Sequence, residues 1–276
     1  MERIWSLQNP RIREWTRLGD RRERLSQGCF LVEGVRLVTE ALRSGAPVLQ
    51  LLADESGMSH MERLMDNRSG IEPLEVTAAL LSKLSDSRTS QGIAAIVRLP
   101  NEAHGMDAVN VVDVADAFGA PCGRVLCLEQ VQDPGNVGTM IRSADACGFD
   151  TVLLSMDSAD PWQPKAVRAS MGSLWHVRVL LSHDPVQWVR EAGKRGTRTL
   201  AAHPRNAVPA WQADMGDGFV LVIGNEANGL SEDMRLAVGQ AVMVPMEGMA
   251  ESLNAASAAS MLMYESLRQR KSGFRG

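Results

Sequence analysis

A chain of 276 residues with 45% hydrophobic content can bury a full core and is long enough for two domains of ordinary size. No apolar run approaches the roughly 20 residues that cross a bilayer, and residues 1–10 lack the apolar centre of a secretory signal, so a cytoplasmic protein is expected. A formal charge of −4 argues against a nucleic-acid partner held by overall charge and leaves that task to local basic patches.

One such patch opens the chain. Residues 1–24 carry seven arginines (3, 11, 13, 17, 21, 22 and 24) against four acids, with Trp5 and Trp15 among them. This mixture suits phosphate contact plus base stacking on RNA, and it equally suits an amphipathic helix that docks Ile12, Trp15 and Leu18 on its own domain. From Cys29 the pattern alternates. Strands are predicted at 30–32, 48–53, 74–76 and 93–97, and helices at 35–43 (stopped by Gly45), 58–67 and 78–84, which together make a small α/β unit. Between Leu99 and Gly123 periodicity fades among Pro100, Gly105, Gly119, Pro121 and Gly123, so residues 101–123 read as a linker, with 109–114 as a possible extra strand.

Beyond it, Val125–Leu128 reads as a buried strand that breaks at Asp133-Pro134-Gly135-Asn136 into a helix carrying Val137, Met140, Ile141, Ala144 and Cys147 on its apolar stripe, with Arg142 off it. Strands follow at 152–154, 177–181, 199–202, 219–223 and 241–244. Helices are predicted at 164–171, after the Asp184-Pro185 start signal, and at 252–269, the last burying Leu253, Ala256, Ser260, Met263 and Leu267. Strands alternating with helices imply a parallel sheet, and ordinary topology makes it a plain doubly wound one. Open parallel sheets place their sites beyond the carboxyl ends of the strands. Three of those ends are rich in Gly, Asn, Glu and Ser.

The ends in question are Asn136-x-Gly138-x-x-x-Arg142, Ile223-Gly224-x-Glu226-x-x-Gly229, and Pro245-Met246 followed by Glu251-Ser252-Leu253-Asn254-x-x-x-Ala258. In this order they closely resemble the motifs of the SpoU family of RNA ribose 2′-O-methyltransferases, of the SPOUT class. That resemblance implies S-adenosylmethionine as cofactor, a parallel-sheet methyltransferase domain over residues 124–276 with a carboxyl-terminal trefoil knot, and a homodimer with each site at the interface between protomers. It also implies cofactor contacts at Gly224, Val244, Met246 and Leu253, with the Ala201-Ala202 strand end beside them, and chemistry at Arg142, Asn136, Glu226, Ser252 and Asn254. The stretches 30–42 and 87–97, through Glu33-Gly34 and Ser90-Gln91-Gly92, look like the ribosomal-protein-like substrate-binding domain that precedes many SpoU domains, which places an RNA-binding domain at residues 1–100. Both glycines also suit plain turns.

The chemistry sets the roles. A ribose hydroxyl is a weak nucleophile and a guanidinium is a reluctant base, so Arg142 is expected to bind the hydroxyl and the adjacent phosphate, with literal base catalysis left open. Asn136, Asn254 and Ser252 can hold substrate or brace loops, and Glu226 either pairs with Arg142 or anchors a partner loop. No G-x-G-x-x-G or G-x-x-x-x-G-K-[ST] phosphate cradle occurs, and the four cysteines (29, 122, 127 and 147) and five histidines show no metal-ligand spacing, so the cysteines read as buried free thiols. Ribosomal RNA is the favoured substrate and transfer RNA the second; a non-catalytic RNA-binding protein that retains the fold is the reading from another class.

Overall fold

A computed structural model describes residues 2–65, 71–85, 90–100, 123–203, 206–216 and 218–273. The linker expected at 101–123, the strand at 109–114, the end of the 58–67 helix and Cys122 therefore lie wholly or largely outside the described residues. The chain packs as two units, Met1–Asn101 with Trp162–Trp175, and Glu102–Pro161 with His176–Gly276. The sequence division assigned Trp162–Trp175 to the second domain. In the structure its helix, Pro164–Ser170, lies against a strand of the first unit and buries Ala166, Val167 and Ser170.

The first unit is a five-stranded mixed sheet of β1 (Glu2–Ile4), β2 (Cys29–Glu33), β3 (Val48–Ala53), β4 (Pro73–Val76) and β5 (Ile93–Arg98), in the order β1-β4-β3-β5-β2. Neither period nor length reveals β1; three residues pair with Leu74–Val76 and bury only Ile4. Behind it the chain makes two short helices, Pro10–Trp15 and Arg21–Gln27, capped by Asn9 and Asp20. Ile12 and Leu18 are fully buried in a core with Leu52, Leu74, Leu80 and Ile96, and Trp15 packs against it half-buried. Intramolecular docking is thus what these three residues do. Arg24 is buried as well, where it donates to the carbonyls of Leu18 and Gly19.

The second unit is a seven-stranded sheet, all parallel: β6 (Val125–Leu128), β7 (Thr151–Ser155), β8 (Arg178–Ser182), β9 (Arg198–Ala202), β10 (Val208–Pro209), β11 (Phe219–Ile223) and β12 (Gln240–Met243), in the order β10-β12-β9-β11-β6-β7-β8. The central strands are apolar throughout because helices cover both faces, as parallel sheets require. The order departs from a plain doubly wound sheet at one edge. β12 enters last, between β9 and the two-residue β10, so the final strand is inserted among elements already laid down.

The last helix is Ala255–Ser272, three residues later at each end than its periodicity predicts. Leu253 precedes it, while Ser260 and Leu267 are only half-buried. Its buried face is Ala256, Ala259, Leu262, Met263, Ser266 and Gln269. Two of these are polar and satisfied: Ser266 Oγ donates to the Met215 carbonyl (2.7 Å), and Gln269 accepts from Met215 N–H (2.9 Å) and donates to the Ala213 carbonyl (3.0 Å). Hydrophobic period cannot find a face whose contacts are hydrogen bonds. Cys29, Cys127 and Cys147 are buried free thiols, and burial raises the pKa of each.

Candidate active site

Three strand ends converge on the site. After β6 the chain turns through Glu129–Gln132, Gln130 adopting a left-handed conformation (φ 55°). Asp133 then caps a helix by accepting from Asn136 N–H (2.9 Å), and Pro134 at its first turn lacks only a donor the helix does not need. Val137, Met140, Ile141 and Ala144 face the core, which leaves Arg142 exposed on the opposite side. Among the described residues Arg142 has no hydrogen-bond or ion-pair partner. The guanidinium is displayed rather than used in the fold.

After β11 the chain folds back on itself. Asn225 and Gly229 exchange backbone hydrogen bonds (3.0 and 2.9 Å), and Asn225 Oδ1 accepts from the N–H groups of Ala227 and Asn228. Gly224 sits at the throat of this loop. A Cβ there would lie 2.6 Å from the Gly229 carbonyl carbon and 2.7 Å from Leu230 N, so any side chain forces the loop open.

The first loop holds the second along its whole length. Glu129, buried, accepts from both the backbone N–H (3.0 Å) and the hydroxyl (2.6 Å) of Ser231. The Gln130 carbonyl accepts from Asn225 Nδ2 (2.8 Å). Glu226 accepts from Asn136 Nδ2 (2.9 Å) and from the backbone N–H groups of Gln132 (3.1 Å) and Asp133 (3.3 Å). Desolvation pushes the Glu226 carboxyl pKa up, and these hydrogen bonds outweigh it and hold the group below the ordinary carboxylate value. Of the two roles open to Glu226, the one seen is the loop anchor.

The third stretch joins through Asn254. Its Oδ1 caps the last helix, accepting from Ala256 (2.9 Å) and Ser257 (3.2 Å), while its Nδ2 donates to Asn136 Oδ1 (3.2 Å). Asn254, Asn136 and Glu226 thus form one hydrogen-bonded chain through all three motifs. The two helices they begin run together, joined by Ser143 Oγ to Ser260 Oγ (2.8 Å), with Ala256 and Ala259 small enough to permit the approach.

Beside this chain opens a cavity of about 350 Å³, at the lower end of the range for small-molecule sites. Ala202, Gly224, Val244, Met246, Ser252 and Leu253 all line it, as does Glu226. Ala201 does not: its position within β9 leaves it buried in the strand core. Asn136, Asn254 and Arg142 stand outside the lining, the two asparagines in the wall's hydrogen bonds and Arg142 on the helix that follows. His203, Asn225, Leu230 and Arg235 also line it, and sequence reasoning missed them as site residues together with Glu129 and Ser231. Their only signal is position, one to seven residues from a motif or predicted cofactor residue at a strand end.

Residues 123–264 match the model of the SpoU rRNA Methylase family, and residues 9–95 match the MRM3-like substrate binding domain. The chain belongs to the SpoU family. It is 33% identical over 265 residues to the 23S rRNA (guanosine(2553)-2′-O)-methyltransferase of Bacillus subtilis, covering 96% of this chain and 98% of that one. It is 34% identical over 273 residues to the 23S rRNA (uridine(2479)-2′-O)-methyltransferase of Streptomyces viridochromogenes, covering 96% and 92%. Among solved structures, the SpoU methyltransferase AviRb of S. viridochromogenes in complex with the cofactor AdoMet superposes with a TM-score of 0.83 at 32% identity, over 97% of this chain and all of that one.

Proposed function

We propose that this protein transfers a methyl group from S-adenosylmethionine to a ribose 2′-hydroxyl of ribosomal RNA. The observation that carries the reading is the Asn254–Asn136–Glu226 chain, which joins the three SpoU motifs at the wall of one cavity and leaves Arg142 displayed beside them. The lining suits the cofactor. Ile223, Leu230, Val242, Val244, Leu253 and Leu262 offer apolar surface for an adenine, and the Glu226 carboxylate suits a cationic partner. When bound there, the cofactor supplies an electrophilic methyl group on a sulfonium.

The residues of this chain do the rest by position. Holding two reactants in near-attack geometry contributes roughly 7–11 kcal/mol, so rigid loops are the main catalytic device. Arg142, permanently charged, binds the phosphate beside the target ribose and orients the 2′-hydroxyl, whose proton leaves to a phosphate oxygen or water as the new bond forms. Asn136, Asn254 and Glu226 brace the loops, and Ser252 lines the cofactor cavity.

The wider reading follows. The inserted β12, with the final helix laced to Ala213 and Met215, fits a carboxyl-terminal trefoil knot. Exposed Met261 and Tyr264 on that helix fit a homodimer interface completed by a second copy. Residues 1–100 select RNA and residues 124–276 perform the transfer, in the cytoplasm. The two 23S rRNA relatives modify a guanosine and a uridine, so the family does not fix the nucleotide. Mass-spectrometric mapping of ribose methylation in RNA from cells with and without this gene tests the reading. One ribosomal 2′-O-methyl nucleotide should vanish without the gene; loss from transfer RNA alone, or from no RNA, overturns it.

A further inference from the structure

We propose that the carboxyl end of the first unit's sheet holds a single unstacked RNA base, with Trp5 as its stacking surface and Glu55 reading its edge. The inference rests on the RNA-methyltransferase reading above and names the part of the first unit that grips the substrate. Its geometric basis is an alignment. β1, β4, β3 and β2 run parallel and end together, and β5, antiparallel to β3 and β2, begins at the same end. Trp5, Thr77, Asp54–Ser56, Gln91 and Gly34 therefore lie in a row across one end of the sheet.

That end is built rigid. A Cβ on Gly57 would stand 1.9 Å from the Gly92 carbonyl oxygen, so the two loops meet backbone to backbone, and Gly92 and Gly34 both have positive φ (75° and 93°). Gln91 reaches across to accept from Val35 N–H (2.9 Å). Asp54, buried, spends its charge inside the turn, accepting from Ser56 N–H, Ser56 hydroxyl and Gly57 N–H. These contacts account for Gly34, Gln91 and Gly92 as scaffold of this end. At its Asp54–Ser56 side opens a cavity lined also by Ile4, Trp5, Glu75, Thr77 and Ala78.

Two groups in that cavity have no structural task. Trp5 is 68% exposed, although its neighbours Ile4, Ile12 and Leu18 are buried and Trp15 packs on the core. Glu55 is exposed and has no partner among the described residues, whereas Glu75 is already paired with Arg3 at 2.7 Å. An aromatic face beside a rigid wall of hydrogen-bond acceptors is the arrangement that takes a splayed-out base, stacking its ring and accepting from its amino group. A carboxylate accepts from an exocyclic amino group, whereas uracil offers only its N3–H, flanked by two carbonyl oxygens that a carboxylate repels. Adenine, cytosine or guanine therefore fits.

The test uses the full chain, S-adenosylmethionine and unmethylated 23S rRNA made by transcription in vitro. Trp5→Ala should raise KM for the RNA about tenfold, the size of one lost base stack, with cofactor affinity unchanged, and Trp5→Phe should recover most of it because a π-face remains. Trp211→Ala, exposed in the second unit, is the control and should leave KM alone. Glu55→Gln should erase a preference for ten-residue oligo(C) over oligo(U). An active Trp5→Ala enzyme with the wild-type KM overturns the base pocket and leaves the methyltransferase reading intact. A wild-type protein that methylates no RNA overturns that reading, and the pocket with it.

Discussion

The two sheets gather their loops at the carboxyl ends of their strands, but they hold them by different means. In the first unit the closest contact is backbone against backbone: Gly57 meets Gly92, and only glycine fits. In the second, side chains hold the loops, as Glu129 binds Ser231, Asn225 binds Gln130, and Glu226 binds Asn136 and two amides. Backbone packing tolerates no adjustment, which suits a fixed recognition surface. A side-chain ladder joins distant stretches, 94 residues apart between Gln132 and Glu226, and lets three loops form one pocket wall.

The sharpest way to break the comparison is Gly224→Val. Gly224 is a point where the second unit also packs backbone against backbone, and a side chain there collides with Gly229 and Leu230. Cofactor binding should fall by more than about 100-fold, since overpacking of about 3 kcal/mol falls on the cavity wall itself. Calorimetry with S-adenosylmethionine measures it; an affinity within a few-fold of wild type would mean that the loop is not the binding element.

Arg142→Ala should be nearly as damaging, on the other quantity. Loss of one charged group that stabilises the reacting centre costs about 10²–10³ in rate. Cofactor affinity should stay within a few-fold, because Arg142 takes no part in the ladder. Single-turnover methylation and calorimetry on the same preparation separate the two, and an equal loss in both places Arg142 in the cofactor site.

A milder probe is pH. Hydrogen bonds hold the Glu226 carboxyl below its ordinary value of 4.5, so its contribution is fully present above that value and is lost as pH falls through the lower folded pKa. Cofactor affinity should therefore be flat from neutral pH to about 4.5 and decline only in more acid solution. Glu226→Gln should have weaker affinity and no such decline. A titration that breaks near pH 6 in the wild type would assign control to some other group.

The smallest effect belongs to the first unit and has the opposite sign. Both carboxylate oxygens of Glu33 are buried without a hydrogen-bond partner among the described residues. Glu33→Gln replaces a buried charge with a neutral amide and should raise the melting temperature by a few degrees, equivalent to about 1 kcal/mol. Scanning calorimetry decides it, and a lower melting temperature would show that the carboxylate is satisfied in solution.

Most of the element list was legible in the residues. Helix 35–43 and strands 48–53, 125–128 and 219–223 appear where their periodicity places them, because each buries a regular apolar face. The three motif stretches were legible too, as Gly, Asn and Glu clusters at strand ends, and they name the residues that meet. Sequence could not choose between partners for Glu226, since hydrogen bonding between residues 90 apart depends on which strands become neighbours. It found Ala256 and Met263 on the buried face of the last helix but missed the rest of that face, because Ser266 and Gln269 are buried by hydrogen bonds that a hydropathy pattern does not register. Glu129 was invisible for the same reason, its partner being Ser231, 102 residues away. Local propensity and period are written in near neighbours along the chain; the order of strands, which brings β6 beside β11 and β12 beside β9, is decided only when the sheet assembles, and with it which polar side chain answers which.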